Sequence, residues 1–108
     1  MVSAGQEEQK EPSRTVQQST GFGKAKRRLS PKDQLVLDER VRKIVANPLI
    51  GEVKMGALKG VRVLKFKVGP FQLLLAYQFN ERHNTIELLD VGPHENFYRD
   101  LQSYLRRR

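Results

Sequence analysis

The sequence predicts an α+β domain in which an N-terminal helical hairpin packs on a small antiparallel β-sheet of three or four strands, followed by a short C-terminal helix. Three observations support this fold class. Apolar residues recur with helical spacing before residue 48, alternate after residue 60, and return to helical spacing after residue 93. The chain has 108 residues and 38% hydrophobic content, which is enough for one domain with one core. We therefore expect helices packed on one side of a sheet.

The second helix of the hairpin has the clearest start and stop signals. Ser30 can accept backbone N–H bonds and Pro31 is tolerated in a first turn, so the helix is expected to begin there. Asn47-Pro48 ends it. A shorter helix is predicted before it, over residues 21–29, with Phe22, Ala25 and Leu29 inward. The apolar stripe of the second helix consists of Leu37, Val41, Ile44 and Val45.

Three strands are predicted after residue 60. Residues 61–68 alternate between apolar and polar side chains, residues 71–79 are nearly all apolar, and residues 85–91 have similar length. The connections are short, so the three strands should form an antiparallel meander. The core face of the central strand is predicted to carry Phe71, Leu73, Leu75, Tyr77 and Phe79. The closing helix is predicted to bury Phe97, Leu101, Tyr104 and Leu105.

The first 20 residues differ in composition from the rest of the chain. They are rich in Gln, Ser and Glu and contain few apolar residues, which predicts a flexible tail. Within this tail, residues 13–18 have the potential to form an edge strand. The folded domain is then predicted to span residues 21–108.

The composition restricts the class of function. A formal net charge of +8 favours a polyanionic partner such as nucleic acid, an acidic protein or an anionic membrane surface. The chain has no cysteine and its two histidines lack a His-x-x-x-His spacing, so we expect no metal site and no cofactor. No apolar run approaches the roughly 20 residues that span a bilayer. The N-terminus also lacks the pattern of a signal peptide, so a cytoplasmic protein with no membrane partner is expected.

Two features of the predicted sheet are candidates for chemistry. His94 follows a Gly-Pro turn where the last strand meets the closing helix, and histidine suits proton transfer because its ordinary pKa is about 6.5. It could instead cap the helix. Lys65 and Lys67 share the polar face of the first strand, where they could bind phosphate or simply protect a sheet edge. Arg62 has the opposite parity and would join them only through a β-bulge.

Several ordered segments carry a resemblance to a known family. NPLIG, LKGVRVLKFKVG, LLLAYQF and TIELLDVG, followed by a His and then Phe-Tyr-Arg, resemble the RelE/ParE toxin superfamily of bacterial type II toxin–antitoxin systems. The resemblance covers roughly residues 21–105 and implies a RelE/ParE-like fold. The V-G-x-H-x-x-x-[FY] arrangement of residues 91–98 is similar to members that cut messenger RNA on the ribosome. Other members inhibit DNA gyrase on the same fold, and a non-catalytic basic binding module is a third possibility.

The resemblance also implies roles for individual residues. His94, Lys67 and Tyr98 would be catalytic in a metal-independent attack of a 2′-hydroxyl on the neighbouring phosphate, with Phe97 as an alternative to Tyr98. Many relatives have an arginine where this chain has Gln72, and an amide can hydrogen-bond a phosphate but cannot neutralise it. The residues expected to contact RNA phosphates are Arg62, Lys65, Gln72 and Arg99.

The implied partners follow from the same resemblance. They are a cognate antitoxin that holds the toxin inactive, and either the ribosome with its messenger RNA or DNA gyrase. A cationic surface of this kind is a suitable receptor for an acidic amphipathic segment.

Overall fold

The computed structural model describes residues 13–108. Three helices and five strands, with one short 3₁₀ turn, make up this part of the chain. In chain order they are β1 (Thr15–Gln18), α1 (Thr20–Arg27), α2 (Pro31–Ala46), β2 (Glu52–Val53), the 3₁₀ turn (Gly56–Leu58), β3 (Arg62–Val68), β4 (Phe71–Asn80), β5 (Thr85–Gly92) and α3 (Phe97–Arg107).

The five strands form one mixed sheet in the order β1-β5-β4-β3-β2. The meander of β3, β4 and β5 is antiparallel, as predicted, and β2 adds to it in the antiparallel sense. β1 pairs with β5 in parallel. The prediction of three or four antiparallel strands therefore missed one strand and the parallel pairing. β2 has only two residues, which is too short for an alternating pattern to be visible.

The start of α1 ties the N-terminal part of the structure to β5. The Ser19 hydroxyl accepts the Phe22 N–H at 2.9 Å and donates to the Leu89 carbonyl at 2.8 Å. Residues 13–20, which belong to the predicted tail, thus contribute β1 and the N-cap of α1. The rest of that tail, residues 1–12, lies outside the described part of the chain.

The predicted start of α2 is confirmed, because the Ser30 hydroxyl accepts the Asp33 N–H at 3.1 Å and Pro31 lies in the first turn. Leu37 and Ile44 are fully buried. The remaining residues of the predicted stripe, Val41 and Val45, are partly buried against the same cluster.

Helices cover both faces of the sheet, so the prediction of helices on one side was wrong. Leu73, Leu75 and Tyr77 of β4 pack with α1 and α2 on what we call the hairpin face. Leu74 and Ala76 pack with α3 on the opposite face, which we call the α3 face. The physical reason lies in β4 itself: a strand that is apolar at every position needs cover on both sides.

One predicted core residue is exposed. Phe71 is 69% accessible, because it opens β4 at the β3–β4 turn, opposite the last residue of β3, Val68.

No helix within residues 13–108 has the length and apolar character needed to cross a membrane.

Candidate functional site

The α3 face presents a pair of exposed lysines beyond the part that is buried. Lys65 and Lys67 alternate along β3 with Phe66 and Val68, which are buried on the hairpin face. Val63 has the parity of the lysines and is buried in the cluster beneath α3. The lysines therefore continue the α3 face towards the β3–β4 turn, where their ammonium groups face water.

The strand register brings the end of β5 to the same part of the sheet. Lys67 pairs with Gln72, and Lys65 pairs with Leu74, which in turn pairs with Gly92. Because neighbouring strands lie about 4.8 Å apart, the Cα atoms of Lys65 and Gly92 are separated by about 10 Å. β5 runs antiparallel to β4, so the chain beyond Gly92 heads towards the level of Gln72. His94 is the second residue beyond that point.

His94 and Tyr98 are neighbours at the start of α3. Their ring centroids lie 5.4 Å apart at 78°, an edge-to-face arrangement. The alternative in which His94 caps the helix does not apply, since the N-cap is Asn96, with a left-handed φ of 62°. The backbone carbonyl of His94 accepts the Phe97 N–H at 3.1 Å. The imidazole side chain takes no part in this hydrogen bond and is exposed.

Of the two aromatic candidates in this segment, only Tyr98 is accessible. Phe97 is 4% exposed and belongs to the apolar cluster beneath α3, whereas Tyr98 is half-buried. The phenol is thus accessible beside the exposed imidazole of His94. An imidazole and a phenol at this separation can accept and donate protons within one small site.

Lys54 also belongs to this site, although sequence reasoning did not identify it. Its Nζ lies 5.1 Å from the centroid of the Tyr98 ring and 3.4 Å from Oε1 of Glu52. Its pKa is raised: burial, the largest single influence, would lower the pKa, but contacts with Tyr98 and Glu52 together outweigh it. Lys54 follows a two-residue strand, and the only sequence signal was its alternation with Val53 and Met55.

Arg62, one of the predicted phosphate contacts, lies on the other face of the sheet. Arg62 pairs with Tyr77 on the hairpin face, and its Nη1 donates to the carbonyls of Leu49 at 3.2 Å and Gly51 at 2.9 Å. The β3–β4 register is regular, so the bulge that would bring Arg62 to the lysines is absent from this strand pair. Arg99 is 75% exposed and its Nε lies 3.8 Å from Oδ1 of Asp100. Gln72 is exposed and pairs with Lys67.

A small acidic cavity lies on the other side of the turn that carries His94. It has a volume of about 150 Å³ and its lining includes Asp90, Glu95 and Asp100 together with Arg28. Burial raises the pKa of Asp90, an effect partly opposed by the Val91 N–H. The three carboxyl groups make this side of the turn less favourable for a polyanion than the side that carries the lysines. Within residues 13–108, no group of three or more His, Cys, Asp or Glu side chains could hold a metal ion.

Comparison with solved structures shows the same fold. The chain is similar to a double arginine-to-alanine mutant of the E. coli toxin RelE in the free state, with 16% identity and a TM-score of 0.69, covering 88% of this chain and 98% of that chain. It is similar to the RelBE toxin–antitoxin complex of Mycobacterium tuberculosis, with 20% identity and a TM-score of 0.67. The match covers 77% of this chain and 100% of that chain. For the intact E. coli RelBE complex the identity is 18% and the TM-score is 0.63. The match covers 77% of this chain and 99% of that chain.

Comparison with sequences shows the family. A search of curated proteins finds no match. The model of the family described as ParE-like toxin of type II bacterial toxin–antitoxin system matches residues 16–102, which is most of the chain. The match extends from β1 into α3 and includes both lysines of β3, His94 and Tyr98. The chain therefore belongs to the ParE-like toxins of type II toxin–antitoxin systems, in the RelE/ParE superfamily.

Proposed function

We propose that this toxin is a ribosome-dependent endoribonuclease that cuts messenger RNA and so inhibits translation. The observation that supports the proposal is the 5.4 Å contact between the rings of His94 and Tyr98 at the end of a sheet face that presents Lys65 and Lys67. These groups supply the two proton-transfer functions and the positive charge that cleavage of a phosphodiester needs.

Each group has a role in the proposed reaction. His94 takes the proton of the attacking 2′-hydroxyl, and Tyr98 gives a proton to the leaving 5′-oxygen. Lys67 and Lys65 stabilise the negative charge of the phosphorane-like transition state, and the Gln72 amide donates a hydrogen bond to a phosphate oxygen. The products are a 2′,3′-cyclic phosphate and a 5′-hydroxyl, and the reaction requires no metal.

The ribosome supplies the substrate in this proposal, and basic residues outside the site would contact its RNA. Arg42 and Lys43 are exposed on α2, and contacts of this kind with phosphates are independent of sequence and weaken with salt. Two of the similar structures are RelBE toxin–antitoxin complexes. We infer that the present toxin also has a cognate antitoxin, whose acidic segment would be attracted to the lysine side of the α3 face.

Mapping of 5′ ends on a message in a purified translation reaction tests the proposal. Wild-type protein should cut only when ribosomes are present, and His94→Ala should slow cleavage by about 10²- to 10⁴-fold, the usual contribution of a positioned proton-transfer group. His83→Ala is the matched control, because His83 is an exposed histidine in the β4–β5 turn. Equal cleavage by wild type and His94→Ala would remove His94 from the reaction.

A second candidate function is inhibition of DNA gyrase. One observation favours it: the matching family model is described as ParE-like. The family resemblance adds that Gln72 is neutral at a position where it implies an arginine. A gyrase supercoiling assay separates the two candidates. Loss of supercoiling with intact message would establish gyrase as the target, and an absence of both effects would indicate a non-catalytic binding module.

A further inference from the structure

Lys54 has an unusual environment for a lysine. Its backbone N–H donates to the Val61 carbonyl at 3.0 Å, which fixes its position beside β3. Its side chain is only 22% exposed, whereas Lys59, five residues further on, is exposed. A lysine commonly buries its aliphatic stem and keeps its ammonium group near water, so what distinguishes Lys54 is the set of contacts that its ammonium group makes.

Tyr98 provides one of these contacts. The Lys54 ammonium lies 5.1 Å from the centroid of the Tyr98 ring, within the range of a cation–π interaction. The ring is also packed edge to face against His94 and Phe97, each with a centroid separation of 5.4 Å. Among these three neighbours of Tyr98, Lys54 is the one that carries a permanent positive charge.

Glu52 does not account for the position of Lys54. The two charged groups are 3.4 Å apart, but the Glu52 side chain is 62% exposed, and ion pairs of such exposed groups contribute little. A role in packing alone would not need a charge at all, since an unbranched apolar side chain could cover the ring. The charge next to Tyr98 is therefore the feature that needs a function.

We propose that Lys54 is a positioning residue for Tyr98, an inference that rests on the proposed RNA cleavage. Lys54 holds the phenol in place and stabilises the negative charge that grows on its oxygen as the proton leaves. In the cleavage step the bond from O2′ to phosphorus forms while the bond from phosphorus to O5′ breaks. The proton of the 2′-hydroxyl passes to His94 and the Tyr98 proton passes to O5′. The phenolate then lies beside an ammonium ion until solvent returns a proton.

Single-turnover cleavage on programmed ribosomes tests this role. Lys54→Gln should lower the maximal cleavage rate by about tenfold, part of the contribution of a proton donor, while the affinity for ribosomes changes by less than about twofold. Lys54→Arg should recover most of the rate because it keeps the charge. Lys59→Gln, the matched control, should cleave like the wild type. In a Tyr98→Phe background, Lys54→Gln should cause no further loss, since its target oxygen is gone.

The outcomes separate this inference from the proposed function. If the wild type leaves the message intact on ribosomes, the proposed function fails. If the wild type cuts and Lys54→Gln cuts equally fast, only the role of Lys54 fails. A multiplicative loss in the double variant, or a loss of ribosome affinity alone, would also overturn it. Should thermal unfolding show Lys54→Gln to be destabilised, Lys54→Arg and Lys54→Met are compared instead, and equal rates for these two would refute the role.

Discussion

The loop between α2 and β2 is held by the buried hydroxyl of Tyr77, and removal of this hydroxyl tests its contribution to the stability of the fold. Tyr77 is fully buried, and its hydroxyl donates to the Pro48 carbonyl at 2.7 Å and accepts the Gly51 N–H at 2.8 Å. Tyr77→Phe keeps the ring but leaves both backbone groups unpaired in a buried place. At about 1–3 kcal/mol for each of the two unsatisfied groups, we expect the free energy of unfolding to fall by about 2–6 kcal/mol.

Thermal unfolding followed by circular dichroism measures this effect. For a domain of about 100 residues, 1 kcal/mol shifts the Tm by about 4–8 °C, so Tyr77→Phe should lower the Tm by at least about 8 °C. The control is Tyr104→Phe. Tyr104 is half-buried on α3 and contacts the Arg108 guanidinium with its ring, a contact that phenylalanine keeps. The control should change the Tm by no more than a few degrees. A Tm for Tyr77→Phe within about 2 °C of the wild type would refute the idea that this hydroxyl holds the loop.

Two further predictions concern charge. Lys65→Gln and Lys67→Gln should each reduce the slope of log affinity for ribosomes against log salt concentration by about 0.7–0.9, as expected for one lost phosphate contact. Lys32→Gln, on the other side of the sheet, is the control and should leave the slope unchanged. Unchanged slopes for the β3 variants would show that these lysines do not contact RNA. Asp90→Asn should raise the Tm at neutral pH, because burial raises the pKa of Asp90 above its ordinary 3.8 and folding therefore favours the protonated form. Stability from Asp90 is thus present below pH 3.8 and is lost as the pH rises through the folded-state pKa. The Tm difference between Asp90→Asn and wild type should therefore grow with pH, and parallel curves would contradict it.

Periodicity predicted the elements that carry many apolar residues. The stripe of α2 and the alternation of β3 were visible because several buried positions repeat at 3.6 or 2 residues. β1 is different: all four of its residues, Thr15–Gln18, are exposed, so its pairing with β5 leaves almost no hydrophobic signal. The side on which α3 packs could not be read from its own stripe, because a stripe shows that a helix is covered but not by which face of a sheet.

Some residues of the candidate site were predicted from the sequence, and one was found only in the structure. His94, Lys65 and Lys67 were identified from local patterns and Tyr98 from the family resemblance. The structure shows the contact between His94 and Tyr98 and the register that relates Lys65, through Leu74, to Gly92 at the end of β5. Lys54 was missed because it reaches Tyr98 across 44 positions of sequence, through the pairing of β2 with β3. A tertiary contact of this kind has no periodicity, so only the fold could reveal it.

The chemistry of the positive charge distinguishes this site from one built on an arginine. Lys65 and Lys67 both come from β3, while Gln72 on β4 is neutral. An arginine binds a phosphate through two parallel N–H bonds, whereas a lysine is a hydrated point charge without a fixed orientation. In the proposed reaction the phosphate is thus held by the summed field of separate ammonium groups rather than by one planar clamp. Orientation of the scissile bond must then come from the ribosome and from the fixed rings of His94 and Tyr98, which is consistent with cleavage that requires the ribosome.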